Sequence, residues 1–576
     1  MRPHPHRLRA ALALLLLVAL LAGCSGGDPA DTAVPTQSGA RDGGLDGVRA
    51  PSDAAGGTLR LVTSQVDSLD PQRSYVPAVW NLMRLYTRTL VTYSSEPGST
   101  DQLVPDLATD LGTTPDGGRT WTFTLRPGGT FETGRAITSR DLKYGIERSF
   151  AVDVVSGGPN FVLDLLDPDS LYAGPYQDES PDKLGLTTIS TPDDATITFT
   201  LSRADPDFPY VLALPSSSPV PVENDTGAAY GADPVSSGPY AITSVDALTG
   251  IVLDRNTAWS PDSDPVRTAL PDQVVVRTGL TGLDRDQALL AGSADADLTG
   301  NGVQEATLNR FADDPGLTDR VDDLATGSLR MLALPTTVGP MANPDCRAAV
   351  AAVVDRAAVQ EELGGPDDAL RRSVLWPSAL PGGPEDTDAA ADLDAARASL
   401  TSCGTPEGFA VTMAVPDVVG TRKVADALVG QLAQVGIVVT VQALDPATFY
   451  TAGVGSPAAI AAGPYAMVLA TYAAVLPTPA SFLVPLVDGR SISPEAGNAN
   501  YALLDDPAVN AAVDTATAGG DPAAWAAVST AALATHAFVP LVENRAQLLA
   551  GQRLRNGVVM LPYNGYDVAT AGVGGG

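Results

Sequence analysis

Few side chains in this sequence could move a proton, attack a carbonyl or hold a metal. Beyond the first ten residues the only histidine is His536, set in the apolar stretch Ala534-Thr535-His536-Ala537-Phe538-Val539. A Ser/His/Asp triad or a His-based zinc site would have to be built on that one imidazole. Its surroundings fit a packed or capping histidine better. The three cysteines, Cys24, Cys346 and Cys403, contain no C-x-x-C pair of the redox or zinc kind. Acids are plentiful but scattered, and none is matched with a credible nucleophile. A formal net charge of −32 argues for a soluble acidic surface and against nucleic-acid binding. These residue types point to a chain that is no enzyme, carries no cofactor and ligates no metal directly.

The chemistry that the sequence does announce lies at its amino terminus. Arg2, Arg7 and Arg9 give a basic start, Ala10 to Leu21 an apolar run, and Leu21-Ala22-Gly23-Cys24 closes it with small residues before a cysteine. The run is too short to span a bilayer as a mature helix. It resembles a bacterial lipobox, which implies a signal peptide over 1–24, cleavage before Cys24 and a diacylglyceryl group on its thiol. The alternative is an ordinary signal peptide with a chance cysteine. Residues 25–56, rich in Gly, Ser, Pro, Asp and Thr, read as a flexible tether. Outside the cytoplasm, the two remaining thiols, Cys346 and Cys403, most simply pair as a disulfide. On the chain-entropy account such a bridge contributes about 4 kcal/mol.

The elements that must position any binding residues follow from periodicity. Gly57 to Thr63 alternates as a strand and runs into the turn-rich Asp67-Ser68-Leu69-Asp70-Pro71, and a helix carrying Val79, Met83, Tyr86 and Leu90 follows. Thr120 to Arg126 and Ala195 to Leu201 alternate as half-buried antiparallel strands, with Trp121, Phe123 and Leu125 on one side. Between them, Thr138-Ser139-Arg140-Asp141 caps a helix with Leu142, Ile146 and Phe150 on one face. Later, Cys346 to Gln360 and Arg422 to Val435 have helical spacing. Gly436 ends the latter, and Ile437 to Val441 and Ala466 to Ala470 read as buried strands. The fold class is α/β with at least two lobes, and Trp121 and Trp259 read as structural.

An ordered series of short stretches resembles the bacterial extracellular solute-binding proteins of family 5, the oligopeptide, dipeptide and nickel binders. It begins at Leu103-Val104-Pro105-Asp106-Leu107-Ala108 and continues through Asp116-Gly117-Gly118-Arg119-Thr120-Trp121-Thr122-Phe123-Thr124-Leu125-Arg126-Pro127-Gly128, Phe131 to Gly134 and Thr138 to Tyr144. Ser237-Gly238-Pro239-Tyr240, Leu289 to Asp295 and Arg347 to Arg356 agree with it. Cys403 to Phe409, Val487-Asp488-Gly489-Arg490 and Leu504 to Asn510 are closest to actinobacterial members, in which Cys346 and Cys403 look like a matched pair.

The resemblance implies a periplasmic-binding-protein type II (cluster C) bilobal clamp with an extra small domain. Lobe I would comprise 57–93, 235–328 and 541–573, the small domain 94–234 and lobe II 329–540. It implies a monomer, lipid-anchored on the outer face of the cytoplasmic membrane, that encloses a peptide or peptide-like solute and delivers it to an ABC permease and its ATPase subunits. A non-transporting surface sensor or scaffold on the same fold is the alternative. Ser74 and Tyr75 on one lobe, with Tyr472, Val475 and Leu476 on the other, would line the cleft. Peptide-binding members hold the ligand ammonium on an aspartate in W-x-A-D-[YW]-x-x-P, where this chain reads Tyr472-Ala473-Ala474-Val475-Leu476-Pro477-Thr478-Pro479. Val475 stands at the aspartate position. Dipeptide binders place an arginine on the loop that here reads Pro416 to Thr421, and the nearest cation is Arg422 at the helix start. Loss of both anchors would leave a zwitterionic peptide's termini buried and unpaired. The expected solute is therefore neutral, less charged or modified.

Overall fold

The computed structural model describes residues 36–37, 41–246, 250–311, 313–387, 390–519 and 521–574. The signal peptide expected over 1–24, its Cys24, and tether residues 25–35 and 38–40 lie outside the described residues. Strand β1 (Thr58–Val62) buries Leu59 and Leu61 on one side, as its alternation requires. Helix α1 (Pro77–Met83) opens on a proline that has no N–H to leave unbonded. It stops seven residues short of Leu90, the last apolar position of the expected helix. The Thr87 hydroxyl donates to the Met83 carbonyl, and the Arg88 guanidinium is drawn 2.8 Å from Asp106. The chain turns there, and Val91–Tyr93 pairs with Leu103–Pro105 instead.

A small antiparallel sheet follows, made of β2 (Thr120–Thr124), β3 (Ile189–Asp193) and β4 (Thr196–Thr200) in the order β2-β4-β3. Trp121 faces Phe199 and Phe123 faces Ile197 across the ladder, all buried. Between β2 and β3, helix α2 (Ser139–Arg148) starts on the reciprocal bonds of Thr138 and Asp141 and buries Leu142 and Ile146. Helix α3 (Phe208–Leu212) comes after β4. The chain then returns to β1 through β5 (Tyr240–Asp246), β6 (Gly250–Arg255), β7 (Gln273–Arg277) and β8 (Ala296–Asp297), in the order β8-β1-β7-β6-β5. One core runs through both sheets, joining Leu59 and Val276 to Phe123, Phe199 and the carboxy-terminal Tyr566.

Strand β9 (Val321–Ala333) leaves this core and enters a second one. The elements that follow include α4 (Pro344–Val353), β10 (Ala369–Arg371), α5 (Leu393–Cys403), β11 (Ala410–Pro416), α6 (Val419–Ala433), β12 (Val438–Leu444), β13 (Tyr465–Tyr472), α7 (Pro479–Val487) and β14 (Phe538–Leu549). The sheet order is β10-β14-β9-β13-β11-β12. Strands β9 and β14 pair antiparallel from Val321 opposite Leu549 to Ala333 opposite Phe538. Leu324 and Leu548 sit in the first core, whereas Leu329, Met331 and Phe538 sit in the second. These two strands are the crossovers.

Two elements differ from the apolar pattern. The helix expected from Cys346 to Gln360 is two helices, because Val354 is extended and Asp355 caps a new start at Arg356 with bonds to the Ala357 and Ala358 amides. Strand β12 is an edge strand with Val438 62% exposed rather than a buried one, since β11 is its sole neighbour. Gly436 at φ +83° ends α6 as expected, and β13 is buried in mid-sheet. The disulfide joins Cys346 of α4 to Cys403 at the end of α5.

The stretch expected to be a flexible tether through residue 56 is bound to the body from Arg41 onwards. The Asp42 amide donates to the Val321 carbonyl, the Gly44 amide to Asp322, and the Ser52 amide to Asn556. Arg49 is buried against Asp322 at 3.0 Å, and the Tyr566 hydroxyl shares that carboxylate. Composition missed this because a Gly/Asp-rich segment can be ordered by bonds to another part of the chain.

A second buried charge group fixes the base of the first lobe. Arg88 and Arg267 both grip Asp106, and Asp264 lies 3.5 Å from Arg88 and 3.3 Å from Arg267. Burial would raise the Asp264 carboxyl, but the two guanidiniums and the Trp259 N–H overcome it and hold the group at about 2 against an ordinary 3.8. A depressed carboxyl stabilises the fold above its unfolded pKa and loses that contribution as pH falls through the folded one. The expected contribution is about 2 kcal/mol, lost between roughly pH 4 and 2. Urea unfolding of the wild type and Asp264→Asn should therefore converge as pH drops through this window. A gap that is constant with pH would refute the assignment.

Candidate functional site

The site is built on the carboxyl ends of two sets of strands, the usual place for ligands in open α/β sheets. On the first lobe, β1 ends at Val62 and the following loop is held by its own side chains. The Asp67 carboxylate accepts from the Ser74 hydroxyl at 2.9 Å and from the Tyr75 amide at 2.7 Å. The Trp80 indole N–H donates to the Ser74 carbonyl, and the Tyr86 hydroxyl to the Leu69 carbonyl. Beneath the loop, Arg148 at the end of α2 binds Asp70 through two nitrogens, at 2.8 and 3.0 Å, and also reaches Gln72. Its Nε faces Asp225 at 3.3 Å and the Tyr176 hydroxyl at 3.1 Å, and its plane lies 4.5 Å from the Tyr230 ring. Glycine is required at 158, where a Cβ would overlap the Gln72 carbonyl.

On the second lobe, β13 ends at Tyr472 and leads into the Ala473 to Thr478 loop. Leu476 is buried in the first core and Val475 packs against it, so this loop spans from one lobe to the other. The Ser481 hydroxyl accepts from the Leu476 amide, and the Thr478 hydroxyl caps α7 by accepting from the Ser481 amide. Thr478 also meets Asp207 of the small sheet's side. Burial raises the Asp207 carboxyl, and the Thr478 hydroxyl partly opposes that shift.

The five expected lining residues thus fall into different roles. Tyr75, 45% exposed, stacks edge-on against Trp80 and stands near Tyr472, whose phenol is pushed up by burial and by that neighbouring phenol. The ring of Tyr472 packs against Phe482 on its own lobe. Val475 and Leu476 bridge the lobes through apolar contact. Ser74 is fully buried with its hydroxyl on Asp67, and it shapes the loop from within. A groove of about 630 Å³ opens beside the loop, lined by Ser64, Gln65, Ser68, Arg73, Gly231 and Thr278. Among the described residues no cluster of His, Cys, Asp or Glu could hold a metal ion. His536 is half-buried at φ +55°, directly after the last helix, with its imidazole held low by burial and by Arg347.

Periodicity alone missed one residue. Arg330 lies on β9 between Thr471 of β13 and Val542 of β14, one place from the pair of Leu329 with Tyr472. Its Nη1 donates to the Thr421 hydroxyl in the first turn of α6 at 2.9 Å. A cation is thus delivered to the Pro416 to Thr421 loop from a strand 91 residues earlier. Arg422, the cation nearest in sequence, is exposed and paired with Asp417. The available signal was an arginine in the apolar run Leu329-Arg330-Met331-Leu332-Ala333-Leu334.

Comparison with known proteins follows this geometry. Residues 102–494 match the family described as bacterial extracellular solute-binding proteins, family 5 Middle. Among solved structures, the clavulanic acid biosynthesis oligopeptide binding protein 2 is 38% identical, with a TM-score of 0.89, over 94% of this chain and 99% of that one. The periplasmic murein tripeptide binding protein MppA in its unliganded open form is 19% identical, with a TM-score of 0.73, over 91% and 98% of the two chains. DppA from Helicobacter pylori in complex with peptide STSA is 20% identical, with a TM-score of 0.63, over 89% and 98%. No curated protein sequence matches the chain. The two lobes joined by β9 and β14 are the bilobal type II clamp of these structures. The chain belongs to the bacterial extracellular solute-binding proteins of family 5, which bind solutes and do not transform them.

Proposed function

We propose that this protein captures a peptide or peptide-like solute between its lobes outside the cytoplasmic membrane and delivers it to an ABC permease, anchored there by lipid on Cys24. The observation that carries this reading is the 38% identity, along nearly the whole of both chains, to an oligopeptide binding protein. Tyr75 and Tyr472, with the lobe-spanning Val475 and Leu476, are the expected ligand contacts. Closure is a population shift driven by a solute that touches both lobes at once.

Val475 gives the cleft an apolar side chain where a free ammonium would need a carboxylate, and burying that ammonium unpaired costs several kcal/mol. The favoured solute therefore has a blocked or absent amino end. Calorimetric titration with tetraalanine and N-acetyl-tetraalanine is the test. The acetylated form should bind at least tenfold more tightly. Tight binding of the free-amine peptide would refute the blocked-end reading, and failure of both to bind would refute the peptide reading.

A further inference from the structure

Glu147 is a carboxyl group whose surroundings suit its protonated form. It is fully buried one residue before the end of α2, where the helix carbonyls disfavour a negative charge. Its Oε1 accepts from the Leu186 amide at 2.9 Å. Its Oε2 lies 3.3 Å from the Tyr172 hydroxyl, and that hydroxyl lies 3.2 Å from the Asp178 carboxylate. A phenol has one proton to donate, so it cannot serve two ionised carboxylates at once. The chain is complete when Glu147 keeps its proton: Glu147 donates to the Tyr172 oxygen, and Tyr172 donates to Asp178.

Asp178 is the acid that stays ionised. Burial would raise it, but bonds from Ser180, Gly185 and Tyr172 hold it below the usual carboxylate range. Burial raises Glu147 to about 7 from an ordinary 4.5, against the opposing pull of Lys143, the Leu186 amide and the Tyr172 hydroxyl. Two acids set apart in this way take different protonation states. An ion pair with Lys143 is the competing arrangement. The Lys143 ammonium, however, donates to the Ile189 carbonyl at 2.7 Å and stands 3.7 Å from Glu147, and burial lowers it. The other charges around the helix are engaged with one another. Arg140 meets Asp182, Arg135 meets Asp141, Arg148 meets Asp70 and Asp225, and the Tyr144 and Tyr176 hydroxyls donate to Asp225. Asp193 of β3 lies by the opposite end of α2, where its carbonyl accepts from Ser139.

The chain fastens an irregular segment. Residues 167–188 contain no helix or strand, and Ser170 and Lys183 take left-handed φ values of +53° and +58°. Tyr172 hooks the segment to Glu147, and Tyr176 hooks it to Arg148 and Asp225. Arg148 in turn holds the loop that presents Tyr75, so segment and loop hang on adjacent residues of one helix.

We propose that Glu147, Tyr172 and Asp178 form a proton-sensitive clasp: protonated Glu147 holds residues 167–188 on α2, and loss of that proton breaks the donor chain and loosens the segment. A carboxyl raised above its unfolded value gives its full stabilisation below the ordinary glutamate range and loses it as pH climbs through the folded value. The clasp is tight in mildly acidic surroundings and slack in alkaline ones, whatever solute the lobes enclose.

The test is hydrogen exchange on the full chain, wild type against Glu147→Gln, read over residues 167–188 at about pH 6 and about pH 8. Glutamine keeps a donor at every pH, and comparing the two proteins at one pH cancels the intrinsic exchange rate. Their segments should match at the lower pH, and at the higher one the wild-type segment should exchange at least about tenfold faster. Equal protection at both values overturns the clasp, as does a wild-type segment better protected than that of E147Q at both, which the Lys143 pair would give. Tyr172→Phe, lacking the middle of the chain, should be loose at both. Infrared spectra of the wild type keep the proposal falsifiable even if a variant fails to fold. The carbonyl band of a protonated carboxyl should titrate away around a pH of about 7 and be missing from E147Q, and a wild type without such a band overturns the proposal.

Discussion

Replacement of Arg148 by methionine is expected to cost about 3–5 kcal/mol of folding free energy, because it leaves Asp70 and Asp225 buried without their cation. Both carboxylates and the guanidinium are essentially inaccessible to water, so screening gives no relief. The Tyr144 and Tyr176 hydroxyls on Asp225, at 2.9 and 2.7 Å, would partly compensate that acid, while Asp70 keeps the Gln72 amide at 3.1 Å. The effect reaches the site as well. Arg148 ties α2 to the loop that presents Tyr75, so its loss should weaken solute binding beyond what stability alone explains. Urea unfolding and calorimetry on the same variant separate the two effects. A stability loss below 1 kcal/mol would show that the network is not the fastening that its burial implies.

Opening the Cys346–Cys403 bridge should cost nearly as much. The bridge closes a 57-residue separation and, on the chain-entropy account, contributes about 4 kcal/mol. It pins α4 to α5 on one face of the second sheet, where Cys346 packs with Ala349, Val350 and Leu400. The double variant Cys346→Ser, Cys403→Ser should unfold at markedly lower denaturant through loss of the second lobe, with the first core retained longer. Two transitions by tryptophan fluorescence and circular dichroism would report this. Identical midpoints for the oxidised and double-serine proteins would remove the bridge from the stability of the fold.

Particular residues show how much of this could be read in advance. The capping pair Thr138 and Asp141, the facing strands around Trp121 and Phe199, and Gly436 at the end of α6 follow from neighbours within a few residues, where periodicity and capping rules act. Helix α1 is shorter than its apolar spacing predicts, and Arg88 beyond its end is bonded to Asp106, a partner outside the local window. Residues 41–56 look unstructured by composition, yet Arg49 is locked to Asp322, 273 positions away. In the candidate site, the inward turn of Ser74 depends on the geometry of Asp67, which no neighbour pattern in the sequence announces.

The sequence by itself determined the α/β class and the kinship with family 5. These are properties of residue identity and short-range order. Tertiary structure alone decided that Arg330 meets Thr421 across 91 residues, that Arg49 meets Asp322 across 273, and that the Val475 loop crosses to the opposite lobe. Each is a meeting of groups far apart in the chain, and charge compensation and burial are set by such meetings rather than by the residues' neighbours in sequence.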